Sequence, residues 1–138
     1  MTTSRRAVVI DDEPDLCRYI ESILQDHGFE TQTATDARTG EDLILADPPD
    51  LICVDLMMPG RTGIQLFARL KKNEATRRIP LIMITGIKEK LNIDWAEIVQ
   101  EYKVRRPEGF VHKPIDPVRL MRVVESVLEN PTEEVQIG

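Results

Sequence analysis

Short apolar runs that stop at a polar or charged residue constrain this chain most. Ala7-Val8-Val9-Ile10 leads to Asp11-Asp12, Leu51-Ile52-Cys53-Val54 to Asp55, Leu81-Ile82-Met83-Ile84 to Thr85, and Phe110-Val111 to Lys113. Runs this short and rich in branched residues read as parallel strands buried on both faces. In an open α/β sheet the ligand crevice lies outside the carboxyl ends of the strands. Residues distant in sequence thus meet there: a carboxylate cluster, a hydroxyl and an ammonium. Such a set suits a divalent cation and a phosphoryl group.

Helical and strand patterns alternate along the chain, which predicts a parallel sheet with helices on both faces and right-handed crossovers. The first strand is expected near Arg6–Ile10 and the first helix from Pro14, with Leu16, Ile20, Ile23 and Leu24 inward and a left-handed turn at Gly28. The polar run Glu30–Ala34 predicts an edge strand. Asp36 caps a second helix that carries Ile44 and Leu45 to the Pro48-Pro49 stop. Thr62-Gly-Ile-Gln65 has a capping-box pattern for a third helix with Ile64, Phe67 and Leu70 inward. Asp94-Trp-Ala-Glu97 signals a fourth helix, whose stripe is Leu91, Trp95, Ile98, Val99 and Tyr102. Leu120, Val123, Val124, Val127 and Leu128 mark a fifth, introduced by Asp116-Pro117 and stopped by Pro131. The expected organisation is one domain over residues 1–130 and a short polar tail over 131–138, with no output domain.

Bulk properties narrow the function. A length of 138 residues with 41% hydrophobic and 30% charged residues suits one globular domain. A formal net charge of −6 disfavours direct nucleic-acid binding. No apolar run reaches membrane-spanning length, and the run after Arg5-Arg6 is too short for an export signal. Cys17 and Cys53 lie in a helix and a strand and read as small buried hydrophobes in a reducing, cytoplasmic compartment.

Three carboxylates, Asp11, Asp12 and Asp55, would repel by about 4 kcal/mol per pair at ~4 Å and an effective dielectric near 20. The cluster therefore calls for a cation, and hard oxygen ligands without cysteine or histidine favour Mg²⁺. Taken singly, Asp12 reads as a helix cap, Asp55 and Thr85 as turn residues and Lys113 as an exposed lysine. Their coincidence at strand ends favours a site. Pro114 forces Lys113 into an extended or turn geometry and allows a cis bond.

The segments V-V-I-D-D-E-P, L-I-C-V-D-L-M-M-P-G-R-T-G, P-L-I-M-I-T-G and G-F-V-H-K-P, in this order, resemble the receiver domains of two-component response regulators, in their single-domain, chemotaxis-receiver-like form. The resemblance runs from the first strand to the last helix. It implies a flavodoxin-like, doubly wound, five-stranded parallel sheet of order 2-1-3-4-5 with five helices. It also implies that Asp55 is the phosphoacceptor, that Asp12, Asp55 and the Met57 main-chain carbonyl ligate Mg²⁺, and that Asp11 acts mainly through a bound water. Thr85 would then hydrogen-bond the phosphoryl group, Lys113 would pair with it, and Phe110 would be the switch aromatic.

The implied partners are a sensor histidine kinase or phosphotransfer protein and a downstream protein target, for a monomer or weak homodimer with no membrane insertion. The implied output surface is helix 4, strand 5 and helix 5. The expected role is a signalling switch, not an enzyme beyond its own phosphorylation and dephosphorylation. A phosphorelay intermediate is the alternative. An Asp-nucleophile phosphatase of the haloacid-dehalogenase type fits less well, because Asp55 is on the third strand and Met57 stands where the second Asp would be. A vestigial scaffold is disfavoured by the intact residue set.

The chain departs from the family between Thr85 and Lys113, a stretch several residues longer than usual, with the extra length assigned to Lys88–Ile93 or Tyr102–Glu108. Trp95 and Tyr102 read either as a face packed on the sheet or as partly exposed partner contacts. Met57 and Ile87 are apolar where the family flanks the attacking water, so slow loss of phosphate is expected. The basic groups Lys71, Lys72, Arg77 and Arg78, and Lys103, Arg105 and Arg106, read as solvated loops. His27 suits a helix C-terminus, and His112, alternating with Lys113, is expected to face away from the crevice.

Overall fold

Five parallel strands in the order β2-β1-β3-β4-β5 form the centre of the protein. They are β1 (Arg5–Ile10), β2 (Phe29–Ala34), β3 (Leu51–Asp55), β4 (Leu81–Thr85) and β5 (Gly109–His112). Among the described residues five helices connect or follow them: α1 (Pro14–Asp26), α2 (Ala37–Ala46), α3 (Gly63–Lys72), α4 (Trp95–Tyr102) and α5 (Pro117–Glu129). This computed structural model describes residues 4–56, 58, 63–86 and 93–129. Met57, Thr62, Ile87, Leu91, Pro131 and the tail over 131–138, on which expectations were placed, lie outside the described residues.

Alternation along the strands splits the core in two. Ala7, Val9, Leu51, Cys53, Ile82, Ile84 and Val111 face α1 and α5, where they meet Ile20, Leu24, Leu120 and Val124. Val8, Ile10, Ile52, Val54, Leu81 and Met83 face the other way, onto Ile44 of α2, Leu66, Phe67 and Leu70 of α3, and the partly buried Trp95 and Ile98 of α4. Both faces of β1, β3 and β4 are therefore covered, which is why these strands read as unbroken apolar runs. Burying each large aliphatic side chain is worth about 1.5–3 kcal/mol, and the two layers together set the positions of the strand ends.

Local signals place the helix boundaries. Pro14 stands in the first turn of α1, and Gly28 follows that helix with φ +90. Asp36 accepts from the Thr39 amide at 2.8 Å, and Asp94 from the Glu97 amide at 3.2 Å. Asp116 accepts from the Arg119 amide at 2.9 Å at the start of α5.

Burial varies along the helices, and one expectation needs correction. Cys17 is buried in the first turns of α1, and Leu16 packs against the same layer from its partly buried rim. Leu45 is 43% exposed, since the buried stripe of α2 passes through Ala37, Gly40, Glu41 and Ile44. Lys71 is not a solvated loop residue. It closes α3 with a buried side chain, and its ammonium donates to the Arg77 and Ile79 carbonyls and to Glu108 Oε1 at 2.9 Å. Glu108 in turn accepts from the Leu81 amide at 2.8 Å, so this pair ties the end of α3 to the starts of β4 and β5.

Candidate functional site

The register of the sheet brings the strand ends together. Asp11 follows β1, and its amide donates to the Ala34 carbonyl at 3.1 Å. Its Oδ1 accepts from the Glu13 amide at 2.9 Å, which turns the chain into α1. Asp55 closes β3, and the next amide, of Leu56, donates to the Ile84 carbonyl at 2.9 Å. Thr85 closes β4, and its carbonyl accepts from the Lys113 amide at 2.8 Å. The Lys113–Pro114 peptide bond is cis.

Asp11, Asp12 and Asp55 each present a carboxylate oxygen within 4.8 Å of the others. Asp11 and Asp55 are buried, and Asp12 is the more exposed of the three. The Lys113 ammonium stands 3.5 Å from Asp55 Oδ1 and 3.8 Å from Asp11 Oδ2. Burial disfavours that ammonium, but Asp55, Asp11 and Glu13 outweigh the effect and hold its pKa above the ordinary lysine value. Asp11 is pushed the opposite way to an ordinary paired carboxylate: burial raises its pKa more than the Glu13 amide and Lys113 lower it.

The donor set fits Mg²⁺. Asp11 Oδ2 is a buried oxygen with no hydrogen-bond partner, and such an atom needs a ligand. The cluster offers only carboxylate oxygens, hard donors suited to Mg²⁺. The neighbouring Cys17 thiol is an unsuited donor: burial and Asp11 push it up to about 11, and its Sγ donates to the Asp11 carbonyl at 3.2 Å.

Two site features were not read from the sequence. The first is Gly63, the opening residue of α3. A Cβ there would meet the Asp55 carbonyl oxygen at 2.0 Å and the Leu56 carbonyl oxygen at 2.7 Å. The glycine of R-T-G thus lets α3 start directly against the backbone that carries Asp55. Its presence after the β3 loop was the available signal. The second is His112, which was expected to face away from the crevice and instead meets the Thr85 hydroxyl. Thr85 pairs in register with His112, so both side chains lie on the α4 side of the sheet, and Thr85 Oγ1 stands 2.7 Å from His112 Nδ1. Alternation sets His112 and Lys113 on opposite faces, and the β4–β5 register then brings His112 beside Thr85.

Phe110 lies on that same face, two residues before His112. Its ring packs 5.2 Å from that of Trp95, which also meets Phe67 at 5.6 Å. The Trp95 ring is therefore a packed element between α3, α4 and β5. A cavity of about 580 Å³ lined by Lys71, Arg77, Arg78, Val99 and Lys103 lies at the other end of the strands and shares no residue with the carboxylate cluster.

A sequence model of the response regulator receiver domain matches residues 7–125. The chain belongs to that family. Protein PilH of Pseudomonas aeruginosa is 27% identical to this receiver over 89% of the chain and 97% of its own length. The phosphate regulon transcriptional regulatory protein PhoB of the same organism is 33% identical over 88% of the chain, which spans 50% of PhoB. Among solved structures, NtrX from Brucella abortus superposes with a TM-score of 0.78 at 28% identity, over 98% of this chain and 29% of NtrX. Receiver domains of response regulators act in phosphorylation-dependent signalling and typically bind Mg²⁺ at an acidic pocket, and this chain has a group of three acidic residues, Asp11, Asp12 and Asp55. None of the described helices is long and apolar enough to cross a membrane.

Proposed function

We propose that this receiver is a phosphorylation switch with Asp55 as its phosphoacceptor. The observation that carries the proposal is the pairing of buried Asp55 with Lys113 at 3.5 Å inside a three-carboxylate cluster. An Asp55 oxygen attacks the phosphorus of a phosphohistidine or a small phosphodonor. The new P–O bond replaces the bond to the leaving group, which departs with its electron pair. Such a transfer needs positioning and charge neutralisation more than covalent help.

Asp11, Asp12 and Asp55 would hold Mg²⁺, with the Met57 carbonyl as a further ligand. Mg²⁺ supplies positive charge for the phosphoryl oxygens. Lys113, directly after β5, supplies a second cation, 3.5 Å from Asp55 Oδ1. Thr85 offers the phosphoryl group a hydroxyl donor.

Phosphate on Asp55 adds negative charge and strong acceptor oxygens. The change reaches the surface formed by α4, β5 and α5 through Thr85 and Phe110, and a downstream protein reads it there. The donor partner is a sensor histidine kinase or phosphotransfer protein, and a phosphorelay step to a phosphotransfer histidine is the alternative output.

Intact-protein mass after incubation with acetyl phosphate tests the proposal. One phosphoryl adduct is expected, lost without Mg²⁺ and lost in Asp55→Asn. An adduct that survives Asp55→Asn would refute the assignment.

A further inference from the structure

Thr85 is 2% exposed, so its hydroxyl has little access to bulk water. A threonine hydroxyl carries one proton and moves by rotation about χ1. In this structure that hydroxyl is engaged on the β5 side, 2.7 Å from His112 Nδ1. The Thr85 main chain is held to the same segment, because its carbonyl accepts from the Lys113 amide at 2.8 Å. Thr85 can therefore turn toward Asp55 only through its side chain, and that turn breaks the contact with the imidazole.

We propose that His112 is a positioning residue that retains the Thr85 hydroxyl on β5 in the unphosphorylated protein, so that phosphorylation must exchange one hydrogen bond for another. The proposal rests on the assignment of Asp55 as phosphoacceptor and adds a brake to it. His112 lies two residues from Phe110, whose ring touches Trp95. Exchange of the Thr85 bond thus changes the partner of a side chain beside the Phe110–Trp95 stack, on the route to α4.

A net hydrogen bond of ordinary strength corresponds to about a five-fold change in an equilibrium constant. Removing the brake should favour the phosphoryl-bound arrangement by that factor. The test is titration of the full chain with fluoroberyllate and Mg²⁺ by calorimetry. His112→Leu should bind about five-fold tighter than wild type. His112→Asn, whose amide can sit where Nδ1 sits, should restore wild-type affinity. In a Thr85→Ala background, His112→Leu should change nothing. If His112→Leu does not fold, His112→Phe carries the same expectation. Unchanged or weaker binding overturns the brake, as does tightening that persists without Thr85 or that Asn fails to reverse. A wild type that takes no fluoroberyllate overturns the Asp55 assignment itself, and the brake with it.

Discussion

Lys113 Nζ approaches Asp55 Oδ1 to 3.5 Å but reaches Asp11 Oδ2 only at 3.8 Å, and that Asp11 oxygen makes no hydrogen bond. Among the described residues, this ammonium faces the carboxylates of Asp55 and Asp11, and the buried Asp11 Oδ2 keeps no hydrogen-bond partner. The site is built at a cost to the resting fold, and the cation that relieves the cost is also the one the chemistry needs.

Asp11→Asn should therefore stabilise the Mg²⁺-free protein, by about 1–2 kcal/mol, the scale of an unsatisfied buried group. Burial raises the Asp11 pKa, so the native state prefers the protonated form. The stability from that preference is full below the unfolded value near 3.8 and is lost as pH rises through the higher folded value. The advantage of Asn should accordingly be greatest at neutral pH and close as pH falls toward 3.8. Thermal melts across that range check this, and the same variant should lose most of the wild-type gain in Tm on adding Mg²⁺.

Gly63→Ala should damage phosphorylation more than stability. The added Cβ would sit 2.0 Å from the Asp55 carbonyl oxygen, so the phosphoacceptor backbone must shift. Misplacement of a reacting group by ~1 Å can cost about 100-fold in rate. The rate of adduct formation from acetyl phosphate measures it, with urea unfolding as the control.

The buried pair at the opposite end of the sheet should matter for folding alone. Glu108→Ala leaves the Lys71 ammonium without its carboxylate and the Leu81 amide without its acceptor, which should cost about 3–5 kcal/mol. Arg5→Ala, which removes the exposed pair with Glu125 at 3.2 Å, should cost at most about 1 kcal/mol. Urea denaturation of both variants provides the comparison, and acetyl phosphate labelling of the folded fraction should be unchanged in each.

Trp95 should report the state of the site by fluorescence. Its ring contacts Phe110 on β5 and Phe67 on α3, so a shift of Phe110 changes its surroundings. Emission should change on adding fluoroberyllate with Mg²⁺, and Phe110→Leu should reduce that change. Emission that responds to neither ligand nor variant would remove Phe110 from the route to α4.

The strands and their polar ends were legible because burial on both faces leaves continuous apolar runs, and a parallel sheet gathers their carboxyl ends. Asp11, Asp12, Asp55 and Lys113 come together as their positions imply. The contacts between neighbouring strands and between helix and loop were not legible. Thr85 meets His112 through the β4–β5 register, and Gly63 meets Asp55 through the entry angle of α3. Neither relation leaves a periodic trace. Lys71 was misread because a lysine at a helix end is ordinarily solvated, and its carboxylate partner lies far along the chain at Glu108. The inward stripe of α1 was legible from its spacing, with Ile20, Ile23 and Leu24 buried and Leu16 packed at its edge.

The central claim is that phosphate becomes attached to the Asp55 carboxylate. Borohydride reduces an aspartyl phosphate to homoserine, which marks the acceptor within the chain. After acetyl phosphate and Mg²⁺, reduction followed by peptide sequencing in the mass spectrometer should find homoserine at position 55 and at no other aspartate. Homoserine at position 11 or 12, or an adduct that yields none, would contradict the account.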